Sequence, residues 1–199
     1  MEAFLKILLS IALILSPSVQ AASILVFGDS LSAGYGIARE ASWPHLLQQA
    51  LQTHSPPYEV VNASISGETT TGGLRRLDRA LEQHRPAIVI LELGANDGLR
   101  GTPLEEIERN LDALIRKAKK AHASVLLVGI ALPPNYGAAY TGRFRTLYPR
   151  LAKKHDIALL PFMLEGIPPE QFLPDNLHPN ADAQPRILHN VMQHLEPLL

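Results

Sequence analysis

The feature that most constrains this chain is a repeated pattern. A short apolar run with almost no polar alternation stops at glycine or small polar residues, and a segment with apolar positions every three to four residues follows. The runs at 24–27, 58–61, 87–93 and 125–130 end respectively in Gly28-Asp29-Ser30, Asn62-Ala63-Ser64, Gly94-Ala95-Asn96 and Ala131-Leu132-Pro133, and a fifth, short run covers 157–160. Runs of this kind suit strands buried on both faces of a parallel sheet. Between them, helical spacing is carried by Trp43, Leu46, Leu47, Ala50 and Leu51, with Ser42 as the expected N-cap and Pro44 in the first turn. Leu74, Leu77 and Leu81 form a second stripe, capped by Thr70 or Thr71 and ended by Pro86. After Pro103, Leu104, Ile107, Leu111, Leu114, Ile115 and Ala118 form a third. Glu105 and Glu106 near its start and Lys117 and Lys120 near its end complement the helix dipole. Two more helices are expected over about 140–154 and 183–195. The strict alternation predicts a three-layer α/β/α sandwich around a five-stranded parallel sheet of flavodoxin-like order 2-1-3-4-5. Loops after parallel strands emerge at one sheet edge, which brings Ser30, Gly67 and Asn96 together.

The segment 1–21 stands apart from this pattern. Lys6, an apolar stretch over 7–15 and the small residues up to Ala21 read as a signal peptide cleaved after Ala21, with 22–199 as a single domain exported to a periplasm or beyond. The apolar stretch is shorter than the roughly 20 residues of a spanning helix. Cysteine is absent, which removes disulfides, thiolate metal sites and a lipidated cysteine. A net charge of −1 with 19% charged residues supplies no basic stripe for nucleic acid, so the expected partner is a small molecule.

A serine hydroxyl needs a base to take its proton, and the base needs an orienting carboxylate. Of eight histidines, His45, His54, His84, His122, His155, His189 and His194 fall in or near helices among polar neighbours and read as solvated. His178 stands in a loop, braced by Pro179 and preceded by Asp175 three residues earlier, so both side chains can point the same way. From spacing alone the pair is equally an aspartate capping a turn beside a surface histidine. Donors for a developing oxyanion could come from the Ser30 N–H, the Gly67 N–H and the Asn96 amide. Gly67 could as well supply only a positive φ, Asn96 could satisfy only loop backbone, and Asp29 could simply fix the turn.

The segments GDSLSAGYG, NASISGET, LELGANDGLRG and DNLHPN occur in the order of the four blocks of the GDSL, or SGNH, hydrolases, and the chain resembles that family. LPPNYG at 132–137 and DAQP at 182–185 extend the similarity over the mature chain, nearest the bacterial periplasmic thioesterase, protease, lysophospholipase and arylesterase branch. The resemblance implies Ser30 as nucleophile, His178 as general base and acid, Asp175 as its orienter, and Gly67 and Asn96 with the Ser30 amide as oxyanion hole. It also implies that 99–102 overlies an acyl crevice lined by Tyr35, Leu132 and Tyr136. Ala95 stands where the branch usually has a second glycine, and the hole is expected to tolerate it because alanine is comfortable at negative φ.

The expected activity is hydrolysis of acyl esters or thioesters through an acyl-enzyme, with no metal and no cofactor, by a monomer that makes transient contact with membrane lipids. Three other enzyme readings compete less well. G-D-S-L-S lacks the second glycine of a G-x-S-x-G elbow. No G-K-[ST] accompanies Gly34 and Gly36 to make a phosphate loop. A metal phosphoesterase built on Asp29, Asp97, Asp175 and His178 lacks further histidines. A non-catalytic acyl- or sugar-binding module is the alternative outside enzymology.

Overall fold

The computed structural model describes residues 22–199, so the leader expected at 1–21 lies outside the described residues. Five strands, β1 (Ala22–Gly28), β2 (Tyr58–Asn62), β3 (Ile88–Glu92), β4 (Ser124–Val128) and β5 (Ala158–Leu160), form one all-parallel sheet in the order β2-β1-β3-β4-β5, as the alternation predicts. The helices, in chain order, are α1 (Ser30–Ala33), α2 (Trp43–Leu51), α3 (Thr70–His84), α4 (Ala95–Leu99), α5 (Leu104–Lys120), α6 (Ala138–His155) and α7 (Gln184–Leu195). On one face α2 packs with α7, and on the other α3, α5 and α6 pack in a row. The sheet's side chains are sealed between these layers. Residues 24–27 of β1 and all of β3 are buried, which is why their runs lack alternation.

The differences from the sequence reading are local. β1 begins before its apolar run because Ala22 and Ser23 pair in register with Tyr58 and Glu59 at the edge of the sheet. Ser42 sits at the N-cap of α2 but does not cap it. An N-cap oxygen accepts from the second or third helical N–H; Pro44 removes the second, and Ser42 does not take the third, that of His45. The Ser42 hydroxyl donates instead to the Arg39 carbonyl at 2.6 Å, while Gln184 Oε1 at the start of α7 accepts the Trp43 N–H at 3.0 Å. Thr69, one residue before the expected caps of α3, accepts from the Gly72 N–H at 3.1 Å. The short helices α1 and α4 have no counterpart in the apolar periodicity, because four or five residues cannot display a stripe.

Candidate active site

The turn that carries Ser30 begins where β1 ends. Asp29 is wholly buried, and its Oδ1 accepts the Leu31 N–H at 3.0 Å, capping α1 so that Ser30, a half-buried residue, becomes its first. The loop carrying His178 is pinned by Leu173 N donating to His178 O at 2.7 Å and Asn180 N donating to Gln171 O at 2.8 Å. Within it, Asp175 Oδ1 accepts the N–H groups of Leu177 and His178 at 2.9 and 3.0 Å, which folds the turn. Its Oδ2 lies 2.8 Å from His178 Nδ1, and His178 Nε2 lies 2.9 Å from Ser30 Oγ. A carboxylate only accepts, so Nδ1 carries the ring proton and Nε2 is free to accept from the serine. The His178 backbone N–H, with that of Leu177 and the imidazole, holds the Asp175 carboxyl down to about 2 despite some desolvation. Asp175 is therefore an anion throughout the neutral range, as an orienter of imidazole requires.

Asn96 and Gly67 also stand at this edge. Asn96, in the first turn of α4, donates its Nδ2 to Asp29 Oδ2 at 3.0 Å. Gly67 adopts φ +77°, a conformation open to glycine, and its carbonyl accepts from Arg100 Nη2 at 3.1 Å. The loop before α3 is tied to β1 by Ala63 N donating to Val26 O and Ile65 N donating to Gly28 O. Arg76 holds the same loop from below. Its Nε meets Glu68 at 2.6 Å, its Nη1 donates to the Ala63 carbonyl at 2.6 Å, and its guanidinium covers the Phe27 ring at 3.8 Å. Ala95 begins α4 without left-handed backbone, which falls on Gly94 instead.

The three residues expected at an acyl crevice are placed differently from one another. Tyr35, 51% exposed, stacks obliquely on the His178 ring with centroids 4.4 Å apart. Leu132 is 8% exposed and packs over Gly98 on the inner side of α4. Tyr136 lies on an exposed turn after β4. His155 departs from its expected solvation: at the end of α6 it is mostly buried, 2.7 Å from an Asp112 oxygen that also draws Lys154. The carboxylates of the metal alternative serve separate partners, with Asp97 taken by the Thr70 N–H and hydroxyl. Among the described residues no three acidic or histidine side chains gather to hold an ion. A cleft of about 630 Å³ at the opposite edge, near Ser23, Arg85 and His122, contains no serine–histidine pair of this kind.

Periodicity and motif reading missed what lies beneath the site. Burial raises the Asp29 carboxyl to about 6, and a second acid, Glu92 at the end of β3, is raised well above the ordinary range by its own burial and by Asp29. Glu92 had a signal in the sequence, as the one polar residue in an otherwise apolar strand run.

A parallel sheet in this order, with a Ser–His–Asp relay at its carboxyl edge, defines a serine hydrolase of the SGNH type. Residues 26–184 match the GDSL-like Lipase/Acylhydrolase family, and the chain belongs to it. It is 48% identical over 184 residues to an arylesterase of Vibrio mimicus, covering 91% of this chain and 92% of that one. It is 45% identical over 179 residues to the thioesterase 1/protease 1/lysophospholipase L1 of Escherichia coli strain K12, covering 89% of this chain and 85% of that one. The crystal structure of TesA superposes with a TM-score of 0.86 at 46% identity, covering 89% of this chain and 99% of that one. The protein is accordingly an acyl-ester hydrolase.

Proposed function

We propose that Ser30, His178 and Asp175 carry out a two-step acyl transfer. The observation that carries this reading is the unbroken relay of 2.9 and 2.8 Å from Ser30 Oγ through the imidazole to Asp175. Ser30 Oγ attacks the acyl carbonyl as His178 Nε2 takes its proton, and the imidazolium formed is stabilised by the Asp175 carboxylate. Negative charge gathers on the former carbonyl oxygen, where the N–H groups of Ser30 and Gly67 and the Asn96 amide are the donors at hand. His178 then passes its proton to the departing alcohol or thiol. Water deprotonated by the same ring attacks the acyl-serine, and the acid leaves with Ser30 restored.

Acyl esters with an aliphatic or aromatic portion fit this edge, because Tyr35, Leu177, Ile65 and Tyr136 are large apolar side chains left exposed on its loops. Tyr35 and Tyr136, with Leu132 behind them, would receive the acyl chain. The leader expected at 1–21 supports export of a single domain, 22–199, to a periplasm or beyond. There, lysophospholipids and fatty-acyl esters are nearer to hand than acyl-CoA, so thioester cleavage is an activity for the bench. A monomer touching lipid surfaces transiently would suffice. Fluorophosphonate is expected to label the mature protein once, at Ser30, with labelling abolished in Ser30→Ala and sharply slowed in His178→Ala. Undiminished labelling of Ser30→Ala would overturn the assignment.

A further inference from the structure

We infer that Glu92, as an uncharged carboxylic acid, is the positioning residue that holds the nucleophile turn and, through Asp29, aims Asn96. This rests on the reading of Ser30 as the nucleophile. Gly28 and Glu92 are register partners on β1 and β3, so the Glu92 side chain lies directly under the turn that starts at Asp29. Its Oε2 accepts the Asp29 N–H at 3.2 Å and the buried Ser32 hydroxyl at 2.7 Å. These donors flank Ser30 on both sides, one residue before it and two after. A single oxygen thus ties down both ends of the segment presenting the nucleophile. Asp29, anchored by its N–H, uses one carboxyl oxygen for the Leu31 N–H and the other for Asn96 Nδ2. One chain of contacts therefore runs from Glu92 to the nucleophile and to an oxyanion donor.

Two parts of the first block gain a purpose from this arrangement. A Cβ on Gly28 would come 2.5 Å from Glu92 Oε2 and 2.8 Å from Ser32 Oγ, so glycine leaves room for the pair as they lie here. Ser32, absent from the relay, is the hydroxyl that answers it.

The uncharged state follows from the surroundings. Glu92 is wholly buried, forms no ion pair among the described residues, and has Oε1 without a hydrogen-bond partner. The ionisable groups around it are acids: Asp29 in contact, and the Tyr148 phenol, whose own loss of a proton is opposed first by burial and then by Glu92, Asp29 and Asp97. A carboxylate there would be a buried charge with no compensating cation, which is costly, whereas the neutral acid retains a carbonyl oxygen for both donors.

An amide should therefore replace the acid, while a hydrocarbon should not. Glu92→Leu is expected to lower kcat at least about tenfold with little change in KM, as loss of a transition-state alignment does. Glu92→Gln is expected to recover kcat to within about threefold of wild type. The infrared difference between wild type and Glu92→Gln at neutral pH should contain the C=O stretch of a protonated carboxylic acid. Ser32→Ala, which keeps the acid and removes one of its two donors, should lower kcat in the same direction and serves if Glu92→Leu does not fold. Wild-type kcat in Glu92→Leu or Ser32→Ala would overturn the positioning role. A folded Glu92→Gln as impaired as Glu92→Leu, or a carboxylate band in place of the acid band, would overturn the uncharged state. Ser30→Ala separates the two levels: hydrolysis surviving in it refutes the nucleophile, whereas an inert Ser30→Ala beside unimpaired Glu92 and Ser32 variants refutes this inference alone.

Discussion

Asp29 is the residue whose role changes most between sequence and structure. Its carboxyl caps α1 through Leu31 and orients Asn96, and both contacts are best made by the ionised group with an acceptor oxygen for each donor. Burial opposes ionisation and raises the group from its ordinary value of 3.8 to about 6. The sign of the linkage follows. Between these values the unfolded chain releases the proton while the folded chain keeps it, so the contribution of Asp29 to stability falls as pH rises from about 4 to 6 and is level above that. Asp29→Asn should make the fall in stability between pH 4 and 6 shallower in thermal melts recorded between pH 4 and 7. It should also lower kcat about tenfold or more at neutral pH, because one amide oxygen cannot serve both donors and its NH₂ opposes that of Asn96.

At the scale of elements, the site depends on how short segments are tied to regular ones. The α7 residue Gln184 is an example. Its Oε1 accepts the first N–H of α2, and its Nε2 donates to the Asn180 carbonyl, two residues past His178. It joins two helices of one layer and steadies the histidine loop. Replacing it with leucine leaves the buried Trp43 N–H without an acceptor, a loss of about 1–3 kcal/mol. Urea unfolding of Gln184→Leu should show that loss as a lower midpoint, and amide exchange in 173–180 should quicken. A midpoint equal to wild type would mean that another acceptor takes the Trp43 N–H. The tie between Gln184 and Trp43 spans most of the chain, so no local reading of Ser42 and Pro44 could reveal which residue caps α2.

Across the whole molecule, the sheet separates stability from chemistry. Ser30, His178, Asp29 and Asn96 are gathered on loops and short helices at the carboxyl edge, while the strand interiors contribute apolar burial. Leu126, wholly buried in the middle of β4, belongs to the second group. Leu126→Ala should cost about 2–5 kcal/mol in denaturant unfolding through lost contacts and a residual cavity. Its kcat per folded molecule should remain near wild type at temperatures where the protein stays folded. A large fall in kcat without loss of stability would show that the strand interior and the site are coupled more tightly than this division allows.

The sequence by itself determined the order of strands and helices, the parallel sheet and the edge at which its loops converge, because unbroken apolar runs and 3.6-residue stripes are properties of neighbours in the chain. It also pointed to Ser30, Asp175, His178, Gly67 and Asn96, each marked by residue type at the end of a strand or in a braced loop. Their spacing left the competing roles open. Only the tertiary structure brought Ser30 within 2.9 Å of a histidine 148 positions away and joined Asp29 to Asn96. It alone put Glu92 beneath the turn, because strand pairing and burial set which side chains meet and which carboxyls keep their protons.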